Sequence, residues 1–325
     1  MRPLAVFALS AALLAQTPPK KPAAEDLPAP IEVNVDVVNI LASVHDKRGG
    51  LVGNLNKDDF TVLEDGQAQT IKYFTRETDQ PLTIGLLVDV SGSQRNLIGI
   101  ERDAASQFFS KVLRKKDEAF LIMFGEETEL LQDYTSSARL LQEGLNQLRV
   151  SSGVGGFGPG PVPTSGQPRG TVLYDAVYLA AQEKLRSEVG RKAIVLITDG
   201  VDEGSRMTRN QAVEEAQKSD AVIYSIYYVD PSAYGFGFGG GGGEAELRRM
   251  SDETGGRVFK VDRKHPLDEA FQELQDEMRS QYAIGYTPTN EAKDGSYRRL
   301  EVRLASKDLK AQARKGYYAI KPGSR

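Results

Sequence analysis

The chain is predicted to be α/β: a doubly wound, mostly parallel sheet inserted into a β-sandwich-like domain that the two ends of the chain build together. Three observations carry this. Nearly continuous apolar runs alternate with amphipathic helical stretches in the middle of the chain, which is the pattern of parallel strands covered on both faces. Residues on either side of that middle follow the period-two alternation of half-buried strands. Neither flank holds enough strands for a stable sandwich alone, so the two are expected to pair.

In chain order, Met1-Arg2 and the apolar run from Pro3 to Ala15 read as a signal peptide over residues 1–16. The run is shorter than the ~20 residues a membrane helix needs. The protein is therefore expected to be exported, periplasmic or extracellular, with no integral span once the leader is cut. Residues 17–30, with Pro18, Pro19, Pro22, Pro28 and Pro30, read as a linker. Residues 31–78 supply the first half of the β-domain. Val33, Val35 and Val37 alternate with Asn34 and Asp36, a Lys47-Arg48-Gly49-Gly50 turn follows, and Phe60 to Leu63 and Ile71 to Phe74 flank an Asp65-Gly66 turn.

Residues 80–280 form the predicted α/β domain. Leu82 to Val88, Ala119 to Phe124, Ala193 to Thr198 and Ala221 to Tyr228 are its buried strands. One helix shows Ala104, Ala105, Phe108, Val112 and Leu113 on its inward face, a second Leu173, Ala176, Val177, Ala180 and Leu185, and a third Leu267, Ala270, Phe271, Leu274 and Met278. Residues 281–321 return to strands, at Tyr282 to Tyr286, Arg299 to Leu304 and Ala311 to Ile320, and supply the second half of the β-domain.

Composition removes several function classes. The 41 basic and 45 acidic residues leave a net charge of −4 without a long basic block, so nucleic acid is not an expected partner. There is no cysteine, which excludes disulfides, thiol catalysis and cysteine-ligated metals.

In an open doubly wound sheet, ligands bind at the carboxyl ends of the strands near the point where strand order reverses. There the first strand runs out into Asp89-Val90-Ser91-Gly92-Ser93, with Gly92 expected to permit a tight bend. A later strand ends in Thr198-Asp199-Gly200, and Gly170-Thr171 opens the helix that follows the glycine-rich stretch. Oxygen donors with only two carboxylates suit Mg²⁺, with Mn²⁺ or Ca²⁺ as alternatives, and leave the ion able to accept a carboxylate from a partner.

These residues resemble the metal-ion-dependent adhesion site of von Willebrand factor type A domains: Asp89-x-Ser91-x-Ser93, Thr171 and Thr198-Asp199-Gly200 fill all five positions. The resemblance spans roughly residues 80 to 280. It implies a non-catalytic, metal-dependent protein-binding module in the cell envelope. Ser91, Ser93 and Thr171 would contact the ion directly, Asp89 and Asp199 directly or through water, and an acidic residue of a protein ligand would complete the shell. By connectivity, a shift of the helix carrying Leu267 to Met278, which runs straight into the Tyr282 strand, would strain the β-domain, and the resemblance implies that rearrangement at the metal couples to such a helix.

Other residues admit two readings. Asp175 either orients the site from an outer position or is a solvated helix carboxylate. Asp202 and Glu203 either add a metal or partner contact or form a plain loop. The glycine-rich stretches Ser151 to Gly170 and Tyr234 to Gly243, with Phe157, Phe236 and Phe238, suit either surface flexibility or partner contact. The alternative functions are a metal-dependent hydrolase or phosphotransferase, and a structural envelope protein with a vestigial site. For hydrolysis, Ser91 would need His45 or His265 as base, and no G-x-S-x-G elbow surrounds it.

Overall fold

The computed structural model describes residues 37–76, 80–150, 170–230 and 241–320. The predicted leader, the linker, the alternation at Val33 to Asp36, and Phe157, Phe236 and Phe238 lie outside the described residues. Those described form one compact unit. Its elements are β1 (Val38–Asp46), β2 (Phe60–Glu64), β3 (Gln67–Gln69), β4 (Ile71–Arg76), β5 (Leu82–Asp89), α1 (Ile98–Val112), β6 (Glu118–Phe124), β7 (Thr128–Thr135) and α2 (Ala138–Leu145). Then come α3 (Leu173–Leu179, continued by a π-helical turn over Ala180–Leu185), β8 (Arg191–Thr198), α4 (Arg209–Lys218), β9 (Ala221–Tyr227), α5 (Gly241–Thr254) and β10 (Val258–Lys260). The chain continues through α6 (Leu267–Arg279), β11 (Tyr282–Tyr286), β12 (Tyr297–Leu304), β13 (Leu309–Ala313) and β14 (Gly316–Tyr318).

The central sheet has the order β10-β9-β8-β5-β6-β7, parallel except for the antiparallel edge strand β7. Alternate residues of each strand go to opposite faces. Ile84, Leu86 and Val88 of β5 join Val195 and Ile197 of β8 in a core under α1, α2 and α6, where Phe108 stacks on Phe271 at 4.7 Å. Leu87, Ile194 and Leu196 point the other way, into a core under α3, α4 and α5. Gly85 leaves room for the Phe120 ring, since a Cβ there would sit 2.3 Å from Cζ. Strand order reverses at β5, which pairs with β6 on one side and β8 on the other. The carboxyl ends of β5 and β8 therefore flank the crevice where such sheets bind ligands.

The flanks pair as expected. One four-stranded sheet has the order β13-β1-β11-β4 and the other β14-β12-β2-β3, each drawing two strands from either end of the chain. Val38, Ile40, Ala42 and Val44 of β1 face the common core with Val62, Ile284 and Leu300. At its centre Glu64 accepts hydrogen bonds from Arg298 Nη1 (2.9 Å), Tyr286 Oη (2.6 Å) and Tyr317 Oη (3.0 Å). The expected strand from Ala311 to Ile320 is two, β13 and β14, which join different sheets.

The opposite face of β1 meets the α/β layer. Leu41 packs against the core under α1, α2 and α6. Ser43 Oγ donates to Glu277 of α6, and His45 Nε2 lies 2.9 Å from the same carboxylate. Arg191 of β8 donates to Met278 O at 2.7 Å. The carboxyl-terminal turn of α6 is thus held from two sides before the chain enters β11.

Candidate metal site at the strand ends

Asp89 ends β5 and is fully buried. Its Oδ1 accepts from Ser91 N at 2.9 Å and its Oδ2 from Thr198 Oγ1 at 2.6 Å. Thr198 is the last residue of β8, and its hydroxyl also accepts from Gly200 N at 3.0 Å. Ser91 Oγ and Ser93 Oγ are 3.1 Å apart, and Ser93 Oγ donates to Asp199 Oδ2 at 2.6 Å. Asp199 Oδ1 accepts from Val201 N at 3.1 Å. Asp89, Ser91, Ser93, Thr198 and Asp199 therefore form one hydrogen-bonded chain between the ends of adjacent parallel strands.

Thr171 is buried, and what ties its segment to the strand ends is the backbone. Thr171 O accepts from Glu203 N at 3.0 Å, in the loop after Asp199. Val172 N donates to Gly125 O at 2.9 Å, just past β6. The segment ahead of α3 is thereby stitched to both neighbouring strand-end loops.

Asp175 and Asp202 have defined work in that stitching. Asp175 accepts from Arg206 N (2.9 Å) and Met207 N (2.7 Å). Asp202 Oδ1 accepts from Tyr174 N at 3.2 Å and from Ser205 Oγ at 2.5 Å. Asp202 thus serves a backbone N–H at the start of α3, where such groups need acceptors, while Asp175, from α3, serves those of the loop ahead of α4. Glu203 packs over Gly170, where a Cβ would lie 2.4 Å from Glu203 Oε2.

Glycine placement departs from expectation. Gly92 lies in a 3-10 turn without a positive φ, and a Cβ there would meet nothing, so that bend does not require glycine. Gly200 has φ +77°, and a Cβ on Gly243 would stand 2.0 Å from Asp199 O. Gly243, in the first turn of α5, thus lets the helix backbone close directly on the Asp199 loop, a role the sequence did not disclose.

Burial first, and then the charge of Asp199, push the Asp89 carboxyl up to about 7, although hydrogen bonds from Thr198 and Ser91 oppose the rise. The local field is one that a cation would relieve. Three further buried acceptor atoms, on two residues, have no hydrogen-bond donor: Gln94 Oε1 and both carboxyl oxygens of Glu101, whose carboxyl feels the charges of Asp89 and Asp199. Among the described residues there is no group of three or more His, Asp or Glu side chains that could hold a metal. The donor set is two carboxylates with hydroxyls, and such hard oxygen donors fit an ion that retains water, such as Mg²⁺.

A serine–histidine pair is not formed among the described residues. Ser91 Oγ faces Ser93, His45 lies against Glu277, and His265 Nδ1 is 3.2 Å from Asp262 Oδ1.

No protein-family model matches the chain, and no curated protein matches it. Solved structures do. An aerotolerance-related membrane protein from Bacteroides fragilis is 17% identical, with 61% of this chain and 98% of that one covered at a TM-score of 0.43. The von Willebrand factor domain of a type V pilus tip protein from Porphyromonas gingivalis is 13% identical, covering 61% and 95% at 0.45. A von Willebrand factor type A protein from Catenulispora acidiphila is 12% identical, covering 89% and 75% at 0.45. The fold assignment rests on the strand order described above: a doubly wound, mostly parallel sheet carried by a two-sheet β-sandwich.

Proposed function

We propose that this protein is a non-catalytic binding module that holds a divalent cation, Mg²⁺ or Mn²⁺, and uses it to capture a carboxylate of a protein partner. The observation that carries the reading is the Asp89–Thr198 and Ser93–Asp199 pair of hydrogen bonds. With the Ser91–Ser93 contact they hold two buried carboxylates and the hydroxyls of Ser91, Ser93 and Thr198 together at the reversal point of the sheet. Ser91, Ser93 and Thr171 would supply neutral ligands, with Asp89 and Asp199 ligating directly or through water. A bound ion would neutralise the repulsion between the two aspartates. With few anionic ligands it stays electrophilic, so an incoming acidic side chain is a favourable addition to its shell. Its export rests on the leader pattern of residues 1–16, and no helix among the described residues is long and apolar enough to cross a membrane.

The test is capture of peptides bearing Asp or Glu on immobilised protein in Mg²⁺, beside the same peptides with amidated side chains. Binding of the acidic set alone, lost in chelator and in Asp89→Ala, is the expected result. Capture that survives both treatments would refute the metal-dependent reading.

A further inference from the structure

Glu101 lies on the first turn of α1, where its N–H closes on Leu97 O at 2.9 Å. A glutamate at a helix start ordinarily reaches into water while it complements the helix dipole. Glu101 is instead 0% exposed, and neither carboxyl oxygen has a hydrogen-bond partner. Burial, then the charge of Asp89, then that of Asp199, hold its carboxyl well above the usual range, and all three act in the same direction. Gln94, on the turn after Ser93, is equally buried. Its Nε2 donates to Tyr228 O at 3.3 Å, while Oε1 has no partner.

Buried acceptors are expensive to leave without donors, and an acidic side chain most of all. The donors that would suit this place are strongly polarised ones, because the surrounding charge is negative. Asp89, Asp199 and Glu101 do not converge as three ligands of one ion. Glu101 is thus not a third carboxylate on the ion, yet the charges of both aspartates reach it. Water on a divalent cation fits both conditions: it is a strong donor, and it extends the reach of the ion by one shell.

We propose that Glu101, assisted by Gln94, is the outer acceptor of the metal site and holds water molecules carried by the divalent ion. The inference rests on the metal reading of Asp89, Ser91, Ser93, Thr171 and Asp199. Glu101 is a positioning residue in this scheme. It favours cations that keep their water, and it fixes the ion against the α1 side of the crevice.

The experiment uses the full chain stripped with chelator, Mn²⁺ as the probe, and the wild type beside Asp89→Ala and Glu101→Gln. Free Mn²⁺ is counted by electron paramagnetic resonance. Water-proton relaxation reports the water held on bound Mn²⁺, and melting of the metal-free proteins reports packing. The wild type is expected to bind one Mn²⁺ and Asp89→Ala none. Glu101→Gln should bind roughly 10–100-fold more weakly, as loss of an outer-shell partner does. Its relaxation enhancement should change, and its metal-free form should melt no lower than the wild type. Mn²⁺ binding by Glu101→Gln within twofold of wild type, with the same relaxation, would overturn the inference and leave the metal site standing. A metal-free variant melting well below wild type would overturn it too, by making Glu101 a packing residue. No Mn²⁺ binding by the wild type would remove the site reading itself, and the inference with it.

Discussion

Ser93 Oγ donates to Asp199 Oδ2 across 2.6 Å, joining the loop that leaves β5 to the loop that leaves β8. The two residues are 106 positions apart in sequence, so this bond exists only because β5 and β8 are parallel neighbours. A hydrogen bond to a buried carboxylate contributes roughly 1.5–3 kcal/mol. Ser93→Ala is expected to lower the metal-free unfolding free energy by about that amount, measured by urea denaturation. An unchanged midpoint would show that the bond contributes nothing to holding the loops.

Gly243 should be intolerant of a side chain. Its Cβ would stand 2.0 Å from Asp199 O, and backbone is the obstacle. Gly243→Ala is expected to push α5 off the Asp199 loop, costing about 1–3 kcal/mol and weakening Mg²⁺ binding. The control is Gly92→Ala, where a Cβ meets nothing. Equal metal affinity in the two variants would show that the α5 contact does not shape the site.

The contact between α6 and the sandwich should depend on pH. Burial alone would raise the Glu277 carboxyl, but His45, Ser43 and Arg257 outweigh it and lower it below its ordinary 4.5. A group whose folded pKa is depressed gives stability that is present above the unfolded value and is lost as pH falls through the folded one. Glu277 should therefore contribute fully near neutral pH and lose its contribution below about 4.5. Thermal unfolding of Glu277→Gln and wild type should converge as pH falls through the acidic range. A gap that stays constant would contradict the linkage.

The sandwich core has a charged hub whose removal should be asymmetric. Arg298 and Glu64 are both 2% exposed, and Glu64 also receives two tyrosine hydroxyls. Arg298→Met strands a buried carboxylate and should cost roughly 3–5 kcal/mol. Adding Glu64→Gln to it should restore part of the loss in the same urea titration. Additive losses would mean that the two residues are not coupled.

Much of this architecture is legible in the sequence because periodicity reports burial directly. The runs at Leu82 to Val88 and Ala193 to Thr198 are apolar on both faces, and they are β5 and β8 of a sheet covered on both faces. The alternation read at Val33 to Val37 ends where β1 begins, and it is the next stretch, with Val38, Ile40, Ala42 and Val44, that turns to the sandwich core. Its other face carries Leu41 with Asn39, Ser43 and His45, and only the tertiary fold shows Ser43 and His45 turned onto Glu277. Helix α4 carries a readable start, the Thr208-x-x-Gln211 capping box, which its weak apolar periodicity conceals. For the site, spacing singles out Asp89, Ser91, Ser93 and Asp199, since strand ends are where side chains of a doubly wound sheet converge. Glu101 carries no such mark: a glutamate in a first helical turn is ordinary in sequence, and only its complete burial sets it apart. Gly243 is hidden in the same way, because one glycine of a run looks like any other until the backbone it touches is known.

The central claim is a single divalent-cation site centred on Asp89. Calorimetric titration of Mg²⁺ into chelator-stripped wild type, beside Asp89→Ala, tests it most directly. The account predicts one-site binding in the wild type and none in the variant. Equal heats from both, or a silent wild type that also shows no Mg²⁺-dependent rise in melting temperature, would contradict it.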